Sequence, residues 1–181
     1  MSKPKEPEDV KLIFSIFSPD RSLIEKILEE ELKERFGQWD WISPELFFDK
    51  SRYYEKEMGW PLYRRFVSFK ELIKPDSIVS VKLYTNQIEE KYSEQGKRKV
   101  NIDPGYVCLE RLVLVTGKNY THRIYLSKGI YADLTLIYKG KSFIPLEWTY
   151  PDYAEARVIS FFNEIRNIYK KQLREKRCSK A

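Results

Sequence analysis

The sequence predicts an α+β fold built on one antiparallel sheet: a ferredoxin-like βαββαβ core, extended by an antiparallel β-meander and closed by a C-terminal helix. Three observations predict it. Apolar residues recur at helical spacing in three separate stretches, short β-rich runs lie between them, and glycine-containing turns connect the last runs. With 181 residues, a single domain over 1–181 is expected, with 1–9 as a loose polar leader and 175–181 as a basic tail.

The first part of the chain alternates between predicted strands and helices. An apolar, β-rich run predicts a strand over 10–17. Leucine and isoleucine then recur at three- and four-residue spacing over 21–36, which predicts an amphipathic helix that ends at Gly37. Two further strands are expected over 42–49 and 62–69.

A second amphipathic helix is predicted over 76–92, and Pro75 fits its first turn because a missing N–H costs nothing there. On this helix Lys82, Asn86 and Glu89 are spaced by four and three residues, so they share one face beside the buried stripe. We expect the three side chains to converge at the edge of the core, although any surface ladder on a helix has the same spacing.

The polar segment 101–106 is predicted to be an irregular loop. Pro104 fixes φ and Gly105 permits positive φ, so Asp103-Pro104-Gly105 is expected to form a tight turn of type II. Asn101 and Asp103 lie two residues apart and point to the same side of an extended chain. This arrangement mildly favours contact with a ligand over the ordinary role of such residues, which is to bond their own backbone.

The chain after this loop is predicted to form antiparallel strands. Residues 106–116 are apolar on both faces, which predicts one central strand. Strands over 121–126 and 130–138 are expected to form a hairpin, followed by a last strand over 142–146. A strong apolar stripe then predicts the closing helix over 152–174.

The hairpin has a predictable register. A three-residue loop with Gly129 in the left-handed conformation fixes which residues face each other. The predicted pairs are Leu126–Ile130, Ile124–Ala132 and His122–Leu134 on one face, and Tyr125–Tyr131 and Arg123–Asp133 on the other.

This register places Arg123, Tyr125, Tyr131 and Asp133 on one sheet face. Arg123 offers a bidentate fork for phosphate or carboxylate, and the tyrosines offer surfaces on which a base stacks. The alternative is an Arg123–Asp133 cross-strand pair on a solvated face, worth about 0.2–1 kcal/mol. His122 lies near the strand end, where a histidine satisfied by the backbone is the alternative to a general base.

Composition and motifs exclude several classes of protein. No apolar run approaches the roughly 18 residues needed to cross a bilayer, and no apolar signal region is present, so a cytoplasmic protein without a membrane contact is expected. Cys108 and Cys178 are too few for a disulfide framework or a thiolate zinc site. Gly117-Lys118 lacks the remaining residues of a P-loop, and no Rossmann or nucleophile-elbow motif occurs. We expect no metal site, and the sequence leaves the cofactor open.

The net charge of +6 is concentrated at the C-terminus, because 170–181 contains six Lys or Arg and one acid. The rest of the chain is nearly neutral. A solvated helix end explains such a run, since cations there complement the helix dipole. Contact with RNA is the alternative.

Five segments resemble the signature of one family. NIDPGY, KNYTHRIYL, GIYADLTLIY and WTYPDY, together with KLYTNQIE on the second predicted helix, resemble the prokaryotic domain-of-unknown-function family forty-four sixteen over nearly the whole chain. Its members are often labelled GTP-binding proteins, a label that no standard nucleotide motif in this sequence supports. The resemblance implies a bacterial or archaeal cytosolic protein and transfers no activity.

The first functional hypothesis is a binding protein or small enzyme for a phosphate-bearing ligand such as a nucleotide. The residues expected to carry it are Asn101, Asp103, Arg123, His122, Lys82, Asn86, Tyr125 and Asp133. Two alternatives stay open: an RNA-binding module that uses the Tyr125 face and the basic tail, and a protein interaction or assembly role. The oligomeric state is left open as well.

Overall fold

The computed structural model describes residues 1–49 and 52–179. The strands are β1 (Val10–Ser18), β2 (Trp39–Ile42), β3 (Leu46–Phe47), β4 (Tyr63–Ile73), β5 (Asn101–Val107), β6 (Arg111–Thr116), β7 (Arg123–Ser127), β8 (Ile130–Lys139) and β9 (Ser142–Pro145). A first helical segment runs through α1 (Arg21–Lys26), a π-helical stretch (Ile27–Leu32) and α2 (Lys33–Phe36). The other helices are α3 (Glu55–Met58), a 3-10 turn (Pro75–Ser77) that leads into α4 (Ile78–Lys91), and α5 (Ala156–Cys178).

The described residues form one nine-stranded sheet in which every pairing is antiparallel. The strand order is β2-β4-β1-β5-β6-β8-β7, and β3 and β9 add to β4 and β8. Together with four helices and the long C-terminal helix, this sheet confirms the predicted α+β class with an antiparallel sheet.

Helices cover both faces of the sheet. On one face, the first helical segment and α4 pack against Leu12, Phe14 and Ile16 of β1. On the other face, α5 packs over Ile13 and Phe66. Since β1 lies between β4 and β5 and is covered on both sides, all nine of its residues are buried, which explains its nearly uninterrupted apolar run.

The first helical segment begins and ends where the sequence predicts. The Asp20 side chain caps it by accepting hydrogen bonds from the backbone N–H of Ser22 (2.8 Å) and Leu23 (3.3 Å). Gly37 ends it with a φ of +83°, a conformation that suits glycine.

Two predictions for the middle of the chain are wrong. Residues 101–106 are not a loop, because Asp103-Pro104-Gly105 lies inside β5 and pairs with β1 without a positive φ at Gly105. The predicted strand over 106–116 is two strands, β5 and β6, joined by a turn that begins at Cys108. Seven consecutive residues of β5 pair with β1, and this tertiary pairing outweighs the local turn preference of Pro-Gly.

Other element bounds differ from the prediction. The expected strand over 42–49 is replaced by β2 and the two-residue β3, while the strand expected over 62–69 extends to Ile73 as β4. The closing helix begins at Ala156, because turns occupy the preceding residues.

Three of the predicted hairpin pairs are confirmed: Arg123–Asp133, Ile124–Ala132 and Tyr125–Tyr131. The predicted loop is wrong. Lys128 and Gly129 both have positive φ, 51° and 77°, which is the two-residue type I′ turn that matches strand twist. Ser127 therefore pairs with Ile130, and a bulge at Leu126 replaces the predicted Leu126–Ile130 pair.

The two ends of the chain meet beside β1. Lys176 of α5 bonds to Asp9, and Arg177 lies 3.3 Å from Glu8, so part of the predicted basic tail is helical and paired with acids. Lys180 and Ala181, at the end of that tail, lie outside the described residues. No helix within 1–49 and 52–179 is both long and apolar enough to cross a membrane.

Gly105 lies where β5 and β6 approach closely. A Cβ placed there would overlap the Val113 carbonyl oxygen and lie 2.8 Å from Leu114 Cδ2. We expect Gly105→Ala to lower the free energy of unfolding by about 1–3 kcal/mol, the usual cost of overpacking, measured by urea denaturation. Gly117→Ala is the control, because a Cβ at Gly117 has no neighbour within 4 Å. Equal stability of the two variants would contradict the close approach.

Candidate functional site

The sheet opens between β5 and β6. Although β5 spans Asn101–Val107, its pairing with β6 ends at the Gly105–Leu114 pair. Beyond that point, Val115 and Thr116 stay paired with β8, and the N-terminal half of β5 stays paired with β1. A wedge-shaped opening therefore separates two neighbouring strands of one sheet.

Side chains of α4 take the place of the missing strand beside β5. The backbone N–H of Ile102 donates to Glu89 Oε1 (2.6 Å), and Lys82 Nζ donates to the Ile102 carbonyl oxygen (3.1 Å). Backbone groups of successive residues point to opposite sides of a strand, so those of Pro104, two residues on, face the same opening as those of Ile102. Its lack of an N–H leaves no donor to satisfy there.

The wedge opens into a cavity of about 650 Å³. Aromatic rings of Phe17, Phe48, Tyr54 and Tyr153 form part of its wall. The polar side chains that line it are those of Arg64, Lys82, Asn86, Glu89, Arg98, Asn101, Asp103, Thr116, Lys118, Arg123, Asp133 and Asp152. The cavity is thus bounded by β5 on one side, the end of β6 on the other, and α4.

Each arginine that lines the cavity is paired with a carboxylate. Arg98 donates from Nε and Nη2 to the two oxygens of Glu57, at 2.6 and 2.9 Å. Arg64 donates to Asp152. Arg98 is therefore held by a bidentate pair, whereas Arg64 makes one hydrogen bond to its carboxylate and its buried Nε has no hydrogen-bond partner among the described residues.

Arg123 is held by protein groups through all three of its guanidinium nitrogens. Nε donates to Asp133 Oδ2 (2.8 Å), Nη1 to the Lys118 carbonyl oxygen (3.0 Å) and Nη2 to the Tyr150 hydroxyl (2.8 Å). Its side chain is 8% exposed and that of Asp133 is 6% exposed. The sequence left open whether Arg123 faces a ligand or pairs with Asp133 across the strands; in the structure it pairs with Asp133, and Tyr150 and the segment before β7 cover it.

Three charged cavity side chains form no ion pair among the described residues, although Lys82 lies within electrostatic reach of Glu89 and Lys118 of Glu57. Lys82 bonds to a backbone carbonyl, and Lys118 forms no ion pair although its ammonium lies 5.5 Å from the Tyr53 ring centroid. Asp103 accepts one hydrogen bond, from Asn101 Nδ2 at 2.7 Å. The unpaired charge that faces the cavity therefore consists of two cations and one carboxylate.

The structure brings six of the eight predicted site residues to this cavity: Lys82, Asn86, Asn101, Asp103, Arg123 and Asp133. Tyr125 does not line it, and its ring is 58% exposed on the edge strand β7. His122 precedes β7, so the predicted His122–Leu134 pair is absent from the ladder. Its ring stacks on Trp148 and its Nε2 lies 3.2 Å from Asp133 Oδ2, behind the cavity wall.

The family model described as "Domain of unknown function (DUF4416)" matches residues 8–169. The chain belongs to this family. No curated protein and no solved structure matches it. The match confirms the resemblance found in the sequence, and it contains every cavity residue of this DUF4416 chain while excluding the basic run after residue 169.

Several cavity residues of the DUF4416 chain escaped the sequence analysis. Arg98 lies just before β5 in a polar stretch that looks solvated, and Lys118 lies in a turn. Arg64 lies inside β4, where a buried arginine indicates a carboxylate partner elsewhere in the chain. That signal is present in the sequence, but it does not identify Asp152 as the partner.

Within the described residues of the DUF4416 chain, no three or more His, Cys, Asp or Glu side chains cluster to hold a metal ion. Burial and nearby charges shift the pKa values of two groups that line the cavity, Glu89 and Tyr54. Burial raises the pKa of Glu89, while Lys82 opposes that shift. Burial and the Asp103 charge raise the pKa of Tyr54 to about 12, so its hydroxyl stays protonated.

Because the pKa of Glu89 is raised in the folded protein, this group makes the folding stability depend on pH. The folded protein binds the Glu89 proton more tightly than the unfolded chain does. The protonated carboxyl therefore adds its full contribution to folding stability below the ordinary pKa of 4.5, and this contribution is lost as pH rises through the folded-state pKa. We expect Glu89→Gln to lose less stability than the wild type when pH is raised from about 4.5 to about 7. Urea denaturation at several pH values measures this. Glu90→Gln, on the exposed side of α4, should keep the wild-type slope, and identical slopes for all three proteins would contradict the linkage.

The Arg64–Asp152 pair supplies a second stability test. The two side chains are 5% and 13% exposed, and the Arg64 guanidinium lies 4.5 Å from the Phe48 ring centroid. Asp152→Asn leaves a buried cation without its carboxylate, so we expect a loss of about 3–5 kcal/mol in the free energy of unfolding. The exposed Arg52–Glu55 pair gives the control, because Glu55→Gln should cost no more than about 1 kcal/mol. A comparable small loss for Asp152→Asn would contradict the structural role of the pair.

Proposed function

We propose that the chain binds a phosphate-bearing small molecule, and that a nucleotide is the class that fits best, in the cavity between β5 and β6. The observation that carries this proposal is the pair of lysines, Lys82 and Lys118, that line the cavity and form no ion pair with a carboxylate among the described residues. A volume of about 650 Å³ supports it, since it lies within the range of about 300–1,000 Å³ typical of ligand sites.

The environment of Lys82 supports an anionic ligand. The residue is 7% exposed, and a buried ammonium is costly unless a counter-charge compensates it. Glu89 interacts with it electrostatically, but its oxygens already accept from Ile102 N–H and from Arg98 Nη1 at 3.3 Å. One of the three Lys82 N–H donors is used by the Ile102 carbonyl, which leaves donors for an entering phosphate oxygen.

Aromatic side chains at the cavity support a ring-containing ligand. Tyr53 and Tyr54 lie on one side and Tyr150 on another, and tyrosine faces are ordinary stacking platforms for nucleobases. Tyr53 also lies close to the Lys118 ammonium. A base and a phosphate would thus find their usual partners within one cavity.

We also propose that the first part of the chain is a ferredoxin-like core. Its elements are β1, the first helical segment, β2, β4, α4 and β5, which follow one another in a βαββαβ sequence. The order β5-β1-β4-β2 with antiparallel neighbours supports this assignment.

The two alternative functions receive unequal support. An RNA surface would join Tyr125 to the basic tail, yet Tyr125 lies on the edge strand β7 while Lys176 packs beside Asp9 at the start of β1. A protein interaction role is favoured by β7 itself, where Ile124, Tyr125 and Leu126 are 69%, 58% and 39% exposed.

Calorimetric titration with ATP, GTP, CTP, UTP and inorganic phosphate tests the proposal. We expect saturable binding of at least one nucleotide. Lys118→Ala should weaken it by about tenfold to a hundredfold, the effect of losing one charge-assisted hydrogen bond. Lys141→Ala, in the exposed turn between β8 and β9, is the control that should bind like the wild type. If none of these compounds binds at millimolar concentration, the proposal is overturned.

A further inference from the structure

A chain of hydrogen bonds fixes the position of one carboxylate in the cavity. Glu57 holds Arg98 through two hydrogen bonds, Arg98 Nη1 donates to Asn101 Oδ1 (2.8 Å), and Asn101 Nδ2 donates to Asp103 Oδ2 (2.7 Å). Arg98 thereby links α3, the residues before β5 and β5 itself. The last member of the chain, Asp103, lines the cavity.

The direction of each bond in this chain is determined by chemistry. A guanidinium only donates, so the Asn101 amide must turn its oxygen to Arg98 and its NH₂ group to Asp103. Asp103 is therefore an acceptor through Oδ2. Its other oxygen, Oδ1, accepts no hydrogen bond from any residue in the part of the chain that the structure describes, and Asp103 is only half-buried.

Asp103 differs in this respect from the other aspartates of the cavity. Asp133 and Asp152 each bind an arginine directly, whereas Asp103 is held by a neutral amide and feels Arg64 only through space. A carboxylate oxygen in that setting accepts from a hydroxyl or amino group and repels phosphate. The phosphate end of a ligand is therefore assigned to the two lysines, Lys82 on α4 and Lys118 after β6, and not to Asp103.

We infer that Asp103 binds the ribose hydroxyls of the ligand, so that the cavity selects ribonucleotides over their deoxy counterparts. This inference rests on the proposed function and specifies its ligand class. A vicinal diol offers two O–H donors to a carboxylate, the contact by which acidic residues read a ribose 2′-hydroxyl in other nucleotide sites. Asn101 is a positioning residue here. Its amide oxygen accepts from Arg98 and its NH₂ group donates to Asp103, so it orients the carboxylate.

The test compares matched ligands on matched proteins. Calorimetry is performed on the full chain with ATP and GTP and with their 2′,3′-dideoxy forms. The wild type should bind the better ribonucleotide about tenfold to a hundredfold more tightly than its dideoxy form, the usual value of a hydrogen bond to a charged group. Asp103→Ala should reduce that preference to less than about threefold, while Asp76→Ala, at an exposed aspartate ahead of α4, should keep it.

The possible outcomes distinguish a failure of the ribose inference from a failure of the proposed function. Wild-type binding without a ribose preference, or a preference that survives in folded Asp103→Ala, would overturn the inference and leave the proposed function standing. Absence of all nucleotide binding would overturn both. If Asp103→Ala does not fold, Asp103→Asn replaces it, because the new side chain still accepts from Asn101. It presents an NH₂ donor to the cavity, and an undiminished ribose preference in this variant would overturn the inference as well.

Discussion

The end of strand pairing at the Gly105–Leu114 pair is the constraint on which the cavity depends. Past that pair, β5 has backbone groups that face away from β1 and have no strand to bond. Lys82 and Glu89 satisfy those of Ile102, and Pro104 removes one donor altogether. A sheet can open in its interior only where such groups are satisfied, because unpaired buried backbone groups are costly. The α4 side chains therefore hold the opening and line the cavity at once.

The charged side chains of the cavity have two roles. The arginines Arg64, Arg98 and Arg123 tie separate segments together through carboxylates and fix the walls. Three cavity side chains form no ion pair among the described residues: Asp103 on β5, Lys118 after β6 and Lys82 on α4. A site with a rigid, internally neutral wall and a small number of uncompensated groups has the preorganisation that ligand recognition requires.

The sequence predicts periodic features well and this site only in part. Apolar periodicity located the helices, and residue types placed three of the hairpin pairs correctly. The ladder of Lys82, Asn86 and Glu89 was recognisable because α-helical spacing is regular. By contrast, Asp103-Pro104-Gly105 has the composition of a turn, and only pairing with β1 makes it a strand. Arg98 was missed because Glu57, which holds its guanidinium through two hydrogen bonds, lies 41 residues away in the chain.

The position of β1 at the centre of the sheet has a consequence for how the chain is made. Both strands that flank β1 come from much later segments, since Ser18 faces Tyr63 of β4 and Phe17 faces Asn101 of β5. During synthesis β1 emerges before both of these strands and has no hydrogen-bonding neighbour in the sheet until β4 follows. Pairing between strands that are far apart in the sequence slows folding and leaves an apolar strand exposed in the nascent chain, where it is prone to aggregate.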